Sequence, residues 1–206
     1  MDTWQMIKAE RIATADALAE LPPADWDRPS LCTGWTVRDV VAHMIDSQTV
    51  TPAKFFARFA ASGFRFQVMT RRNVAAIREG RSDPELLELL RSRTDARTAP
   101  PGPVLSWLGE AIVHGEDATH GTGGYRAHPI EHLVAVADFY KRSNALIGTK
   151  RRIDGLTLRA TDADWRHGEG PEVSGPLITL VLAMTGRTAV LSDLGGDGVA
   201  MLRGRP

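Results

Sequence analysis

The chain has 206 residues, 43% of them hydrophobic, which is enough for one large domain or for one domain with a small appendage. Lysine plus arginine and aspartate plus glutamate balance at 25 each, so the composition argues against a nucleic-acid binder and against an anionic membrane surface as partner. The lone cysteine, Cys32, allows no internal disulfide, and the opening MDTWQMIKAERIA lacks the basic-then-apolar layout of a secretory leader; the expectation is a reducing, cytoplasmic setting.

The first predicted element runs from Asp2 to Leu21, with Trp4, Ile7, Ala15 and Leu18 at helical spacings and Pro22 and Pro23 to stop it. After the turn PPADWDRPS, the run LCTGWTVRDVVAHMIDSQ offers Thr36 as N-cap with Asp39 three residues on, a capping box that starts a helix running past His43. Pro52 either kinks that helix or opens a second piece through AKFFARFAA, which Gly63 ends. Further helices are expected over Phe66 to Glu79 and in SDPELLELLRSR, where Ser82 caps and Glu85 reaches back. The loop TAPPGP precedes a helix from Val104 to His120, and Pro129 opens another through IEHLVAVADFYKRSNALI.

From Arg151 the texture changes. IDGLTLRAT is strand-like, EGPEVSG reads as a turn, PLITLVLAM as a compact helix and GDGVAML as a turn with a short strand. PLITLVLAM is about half of what a membrane-spanning helix needs. The expected architecture is a mainly α chain, a helical bundle over residues 1–150 followed by a small α/β region over 151–206.

Chemistry concentrates in GEAIVHGED. Residues four apart on a helix differ by about 40° around its axis, so Glu110 and His114 project from one face, one turn apart. His43, on another helix, sits at the flank of the stripe Val37, Val40, Val41 and Met44 and can point into a bundle. Imidazole and carboxylate donors suit zinc and neighbouring divalent metals, and three protein ligands leave a position open. A Glu-x-x-x-His pair also arises by chance as an ordinary exposed pair; facing helices are where bundles build metal centres.

The run LCTGWTVRDVVAH, followed by EAIVHGED, resembles the two signature stretches of the mycothiol-dependent maleylpyruvate isomerase family within the DinB-like superfamily. The C-terminal run RATDADWRHGEGPEVSGPLITLVLAMTGR resembles that family's C-terminal region. The resemblance implies a DinB-like four-helix bundle with a small C-terminal α/β extension and a divalent metal, usually zinc, held by His43, Glu110 and His114. It further implies a metal-dependent enzyme that activates a mycothiol-like thiol for S-transfer to, or cis-trans isomerisation of, a small electrophilic substrate. The alternative is a metal-binding DinB-like module without catalysis. The implied partners are the small-molecule thiol and that substrate, with no nucleic acid, no membrane and a possible homodimer.

Other residues carry two readings each. Asp117 either orients His114 or is a solvated residue near a helix end. Asp39, one turn before His43, is read as a cap ahead of an orienting partner for that ring, and Cys32, just before a helix, as packing ahead of a nucleophile. Trp35 is read as a staple at the helix start, while Trp107, one turn before Glu110, is the better candidate for a pocket wall and cofactor contact. Arg187 in MTGR either satisfies terminal helix carbonyls or, since relatives place arginine there, binds a carboxylate of the thiol or substrate. TRRN and TKRR are read as solvated surface.

Overall fold

The computed structural model describes residues 2–122, 124–144 and 148–205, which form two compact units, Met1–Arg126 and Ala127–Pro206.

The first unit holds helices α1 (Thr3–Ala19), α2 (Val37–Ser47), α3 (Pro52–Ala61), α4 (Phe66–Arg78), α5 (Asp83–Arg91) and α6 (Val104–Thr119). Of these, α1, α2, α5 and α6 form a four-helix bundle, in which α1 and α2 each pack against both α5 and α6. The stripes that meet are short-period helical ones. Val37, Val40, Val41, Met44 and Ile45 of α2 join Ala15 and Leu18 of α1, Leu86 and Leu90 of α5 and Ala118 of α6 in one core cluster. Capping chemistry sets where the helices begin. Thr36 accepts from the Asp39 amide while Asp39 accepts from the Thr36 amide, and Ser82 with Glu85 repeats the arrangement for α5. The chain breaks after Gln48, and Pro52 opens α3 as a separate helix capped by Thr51.

At the end of this unit Arg126 reaches two buried carboxylates. Its Nε lies 3.3 Å from Glu116 Oε1 and its Nη2 3.8 Å from Glu10 Oε2. Gly115 makes room for it: a Cβ there would meet Arg126 Nη2 and Thr14 Oγ1 at 2.6 Å.

The second unit contains α7 (Ile130–Tyr140), α8 (Thr149–Ile153), α9 (Leu177–Met184) and α10 (Val199–Arg203) with strands β1 (Thr157–Ala160), β2 (Arg166–His167) and β3 (Glu172–Gly175). Helix α9 is buried at every position and packs on α7, α8, β1 and β3. The sheet order is β2-β1-β3, with β1 antiparallel to β2 and parallel to β3 in the register Leu158↔Val173.

Three expectations need correction. Helix α7, expected in the bundle region of residues 1–150, packs on α9 and belongs to the second unit, so the division falls at Arg126 rather than near residue 150. EGPEVSG contains β3, because its backbone pairs with β1. GDGVAML forms α10, where Gly198 sits so close to the Pro171 carbonyl that a side chain would collide at 2.7 Å. Helix α7 also ends at Tyr140, and the stretch ALI lies outside the described residues. Among the described residues no helix is long and apolar enough to cross a membrane.

Candidate functional site

Helices α2 and α6 pack against one another and supply a two-by-two polar set: His43 and Ser47 one turn apart on α2, Glu110 and His114 one turn apart on α6. The His43 and His114 rings meet edge to face with centroids 4.8 Å apart. Ser47 Oγ donates to Glu110 Oε1 at 2.5 Å. His43, Glu110 and His114 are all half-buried, so the set borders both the bundle core and solvent.

His114 is held from behind. Its Nδ1 lies 2.8 Å from Asp117 Oδ2, and the Asp117 side chain is fully buried. A buried carboxylate beside Nδ1 selects the tautomer that donates from Nδ1, which leaves the Nε2 lone pair as the ring's donor toward any cation. Asp117 is therefore an orienting residue and not a solvated one.

Glu110 carries the strongest electrostatic signature. Burial raises its carboxyl above the ordinary range, and Asp46 nearby adds to the rise; His114, the Ser47 hydroxyl and Arg11 oppose it. Arg11 projects from α1 and is itself buried; its Nη1 donates to the Ala96 carbonyl at 2.7 Å. Burial lowers the Arg11 pKa, and Glu110 partly offsets that.

Among the described residues no group of three or more His, Cys, Asp and Glu side chains converges as a ready metal-ligand cluster. The two imidazoles pack on one another, and Glu110 is engaged by Ser47. The donor chemistry nevertheless fits a divalent ion. Two imidazoles and a carboxylate from facing bundle helices are a zinc-type set, and the His114–Asp117 pair has the carboxylate–histidine form that metal-ligating histidines take.

The other singled-out residues sort as follows. Trp35 meets the His43 ring at 5.1 Å, edge to face, and so walls the site as well as packing on the core. Cys32 packs against the same core. Trp107 is half-buried and lies against Gly102 in the preceding loop. Asp39 serves the α2 cap and also accepts from Arg78; burial alone would raise its carboxyl, but Thr36 and Arg78 hold it below the ordinary range. Arg187 belongs to the second unit, where its Nη1 donates to the Thr185 carbonyl at the end of α9 at 3.2 Å, the terminal-carbonyl role. Sequence reasoning missed Ser47 and Arg11. The i,i+4 spacing of Ser47 from His43 was the available signal; nothing local marks Arg11.

A profile of the mycothiol maleylpyruvate isomerase N-terminal domain matches residues 7–119, more than half of the chain. No curated protein sequence matches. Among solved structures, the fold is similar to the crystal structure of the mycothiol-dependent maleylpyruvate isomerase, with a TM-score of 0.63 at 16% identity, covering 95% of this chain and 91% of that one. A histidine-to-alanine mutant of that enzyme gives a TM-score of 0.62 with the same identity and coverage.

Proposed function

The chain belongs to the family of the mycothiol maleylpyruvate isomerase N-terminal domain, and from that premise we propose that it is a metal-dependent enzyme that uses a mycothiol-like thiol on a small electrophilic substrate, by S-transfer or cis-trans isomerisation. The observation that carries the reading is the α2–α6 set, in which His43 packs on His114, Glu110 and His114 share one helix face and Asp117 fixes the His114 ring.

In this reading His43, Glu110 and His114 hold a divalent ion of the zinc type. Such an ion lowers the pKa of a bound thiol from about 8.5, making it a thiolate nucleophile at neutral pH. The protein's own groups prepare the site. Asp117 keeps the His114 Nε2 lone pair available, and Ser47 orients the Glu110 carboxyl. Arg11 supplies positive potential from α1. Trp35 covers the edge of His43 and limits water there. Trp107 is proposed as a contact for the thiol, and Arg187, within the second unit, as a residue that binds a carboxylate of the thiol or substrate. For Arg187 the support is its closeness to other cations: the Arg152 guanidinium, lowered first by burial, is lowered further by Arg187 and Arg151.

The test is elemental analysis of the wild type beside His114→Ala, with calorimetric titration of mycothiol on the same samples. The expected result is about one divalent ion per chain, with metal and thiol binding lost together in the variant. Absence of metal from both proteins, or thiol binding that survives in His114→Ala, overturns the assignment.

A further inference from the structure

Helix α3 buries none of its residues, yet it carries three phenylalanines. With Phe64 in the connecting turn and Phe66 at the start of α4 they form one contiguous aromatic surface. Phe55 meets Phe56, Phe59 and Phe66 with ring centroids 5.6, 6.0 and 6.5 Å apart, and Phe59 meets Phe64 at 5.5 Å. Phe56 is 58% exposed, Phe64 71% and Phe66 44%. Exposed apolar patches of this kind mark interaction surfaces.

The turn holds the patch out at a conformational cost. Helix α3 ends with Gly63 at φ +62° and Phe64 at φ +58°, and the Phe64 amide bonds back to the Phe59 carbonyl at 3.0 Å. Phe64 is the one non-glycine with positive φ among the described residues. A bulky residue in that region is strained, and strain of this sort is found where function requires a particular presentation.

The same stretch, 52–78, contains Lys54, Arg58, Arg65, Arg71, Arg72 and Arg78 and not one acidic residue. Arg58 is paired with Asp46 and Arg78 with Asp39. Lys54, Arg65, Arg71 and Arg72 are exposed; Lys54 adjoins Phe55, Arg65 lies between Phe64 and Phe66, and Arg72 reaches the Ala61 carbonyl at the end of α3. The neutral sum over the chain conceals this local asymmetry.

We propose that the α3–α4 face is a peripheral docking surface for an anionic lipid bilayer, with the phenylalanine rings entering the interfacial region and the flanking cations on lipid phosphates. A face rich in Lys and Arg on one side and Phe on the other is the composition of helices that lie in the membrane interface. A two-fold contact between copies through this face would set cations against cations with no acidic residue of the stretch to pair them, which disfavours a dimer here.

Cosedimentation of the full chain with vesicles of phosphatidylcholine, alone or with about one-third phosphatidylglycerol, tests this. The expected result is binding to the anionic vesicles only, weakened by about 0.5 M salt. Phe56→Ser with Phe64→Ser should weaken it by about tenfold or more, and Lys54→Glu with Arg65→Glu by about fivefold per cation lost. Both variants change exposed side chains, and circular dichroism should confirm an unchanged helix content. Equal binding to both vesicle types, or binding that the phenylalanine variant leaves intact, overturns the proposal. So does no vesicle binding at all, whether the face instead captures an acidic polypeptide such as polyglutamate or yields a dimer that the phenylalanine variant dissolves.

Discussion

Glu110 concentrates the tension of the site in one carboxyl. Burial favours its protonated form, so in the native state it keeps a proton that the unfolded chain has already released. The stability this group contributes is therefore complete below the ordinary carboxylate value of 4.5 and is lost as pH rises through the raised native one. At neutral pH in the metal-free protein, Glu110→Gln should raise the Tm by roughly 2–4 °C, the shift that about 1 kcal/mol produces at this chain length, while abolishing metal binding. Thermal denaturation at pH 5 and pH 7.5 checks the sign: the gain should be larger at the higher pH. Asp117→Asn acts through the neighbouring ring. An amide does not select the Nδ1-protonated tautomer as a carboxylate does, so zinc affinity should fall by about 10–100-fold, read by competition with a chelating dye, with the fold retained. An affinity within a factor of about two of wild type would show that Asp117 does not orient His114.

Among the elements, α2 carries the most, because it delivers His43 and Ser47 and seats five apolar residues in the core. Its start depends on the reciprocal Thr36–Asp39 cap. Thr36→Ala should cost about 1 kcal/mol, with the Tm lowered by about 2–4 °C. Helix starts of this kind were readable in the sequence because they are local: a hydroxyl and a carboxylate three residues apart meet wherever the helix forms. The pairing of Glu110 with His114 was readable for the same reason. What could not be read depends on partners distant in the chain. EVSG becomes β3 only because Leu158 and its neighbours lie alongside it, and Gly198 at the start of α10 is held by the Glu172 carbonyl, which accepts from its amide at 2.8 Å. Trp35 meets His43 only once α2 has packed, and the charge of Arg11 acts on Glu110 from α1, remote in the sequence.

On the scale of the molecule, the bundle and the candidate site share the first unit, while α7 and Arg187 lie in the second. If His43, Glu110 and His114 hold zinc as proposed, the ion should stabilise the units unequally. At about one hundred times its Kd the ion adds about 2.7 kcal/mol to whatever unfolds with His43, Glu110 and His114. Four of the five tryptophans, Trp4, Trp26, Trp35 and Trp107, are in the first unit, so the fluorescence-detected midpoint should rise with zinc while that of His114→Ala stays put. An equal rise in both proteins would place the ion elsewhere.

Arg126 gives the first unit a defined minimum length. The matched family region stops at residue 119, seven residues short of the guanidinium that faces Glu10 and Glu116 inside the bundle. A fragment trimmed to the family boundary would take that cation away from two buried carboxylates, which is destabilising. Anyone excising the bundle for study should cut after Arg126, where the electrostatics close, and not where the sequence similarity ends.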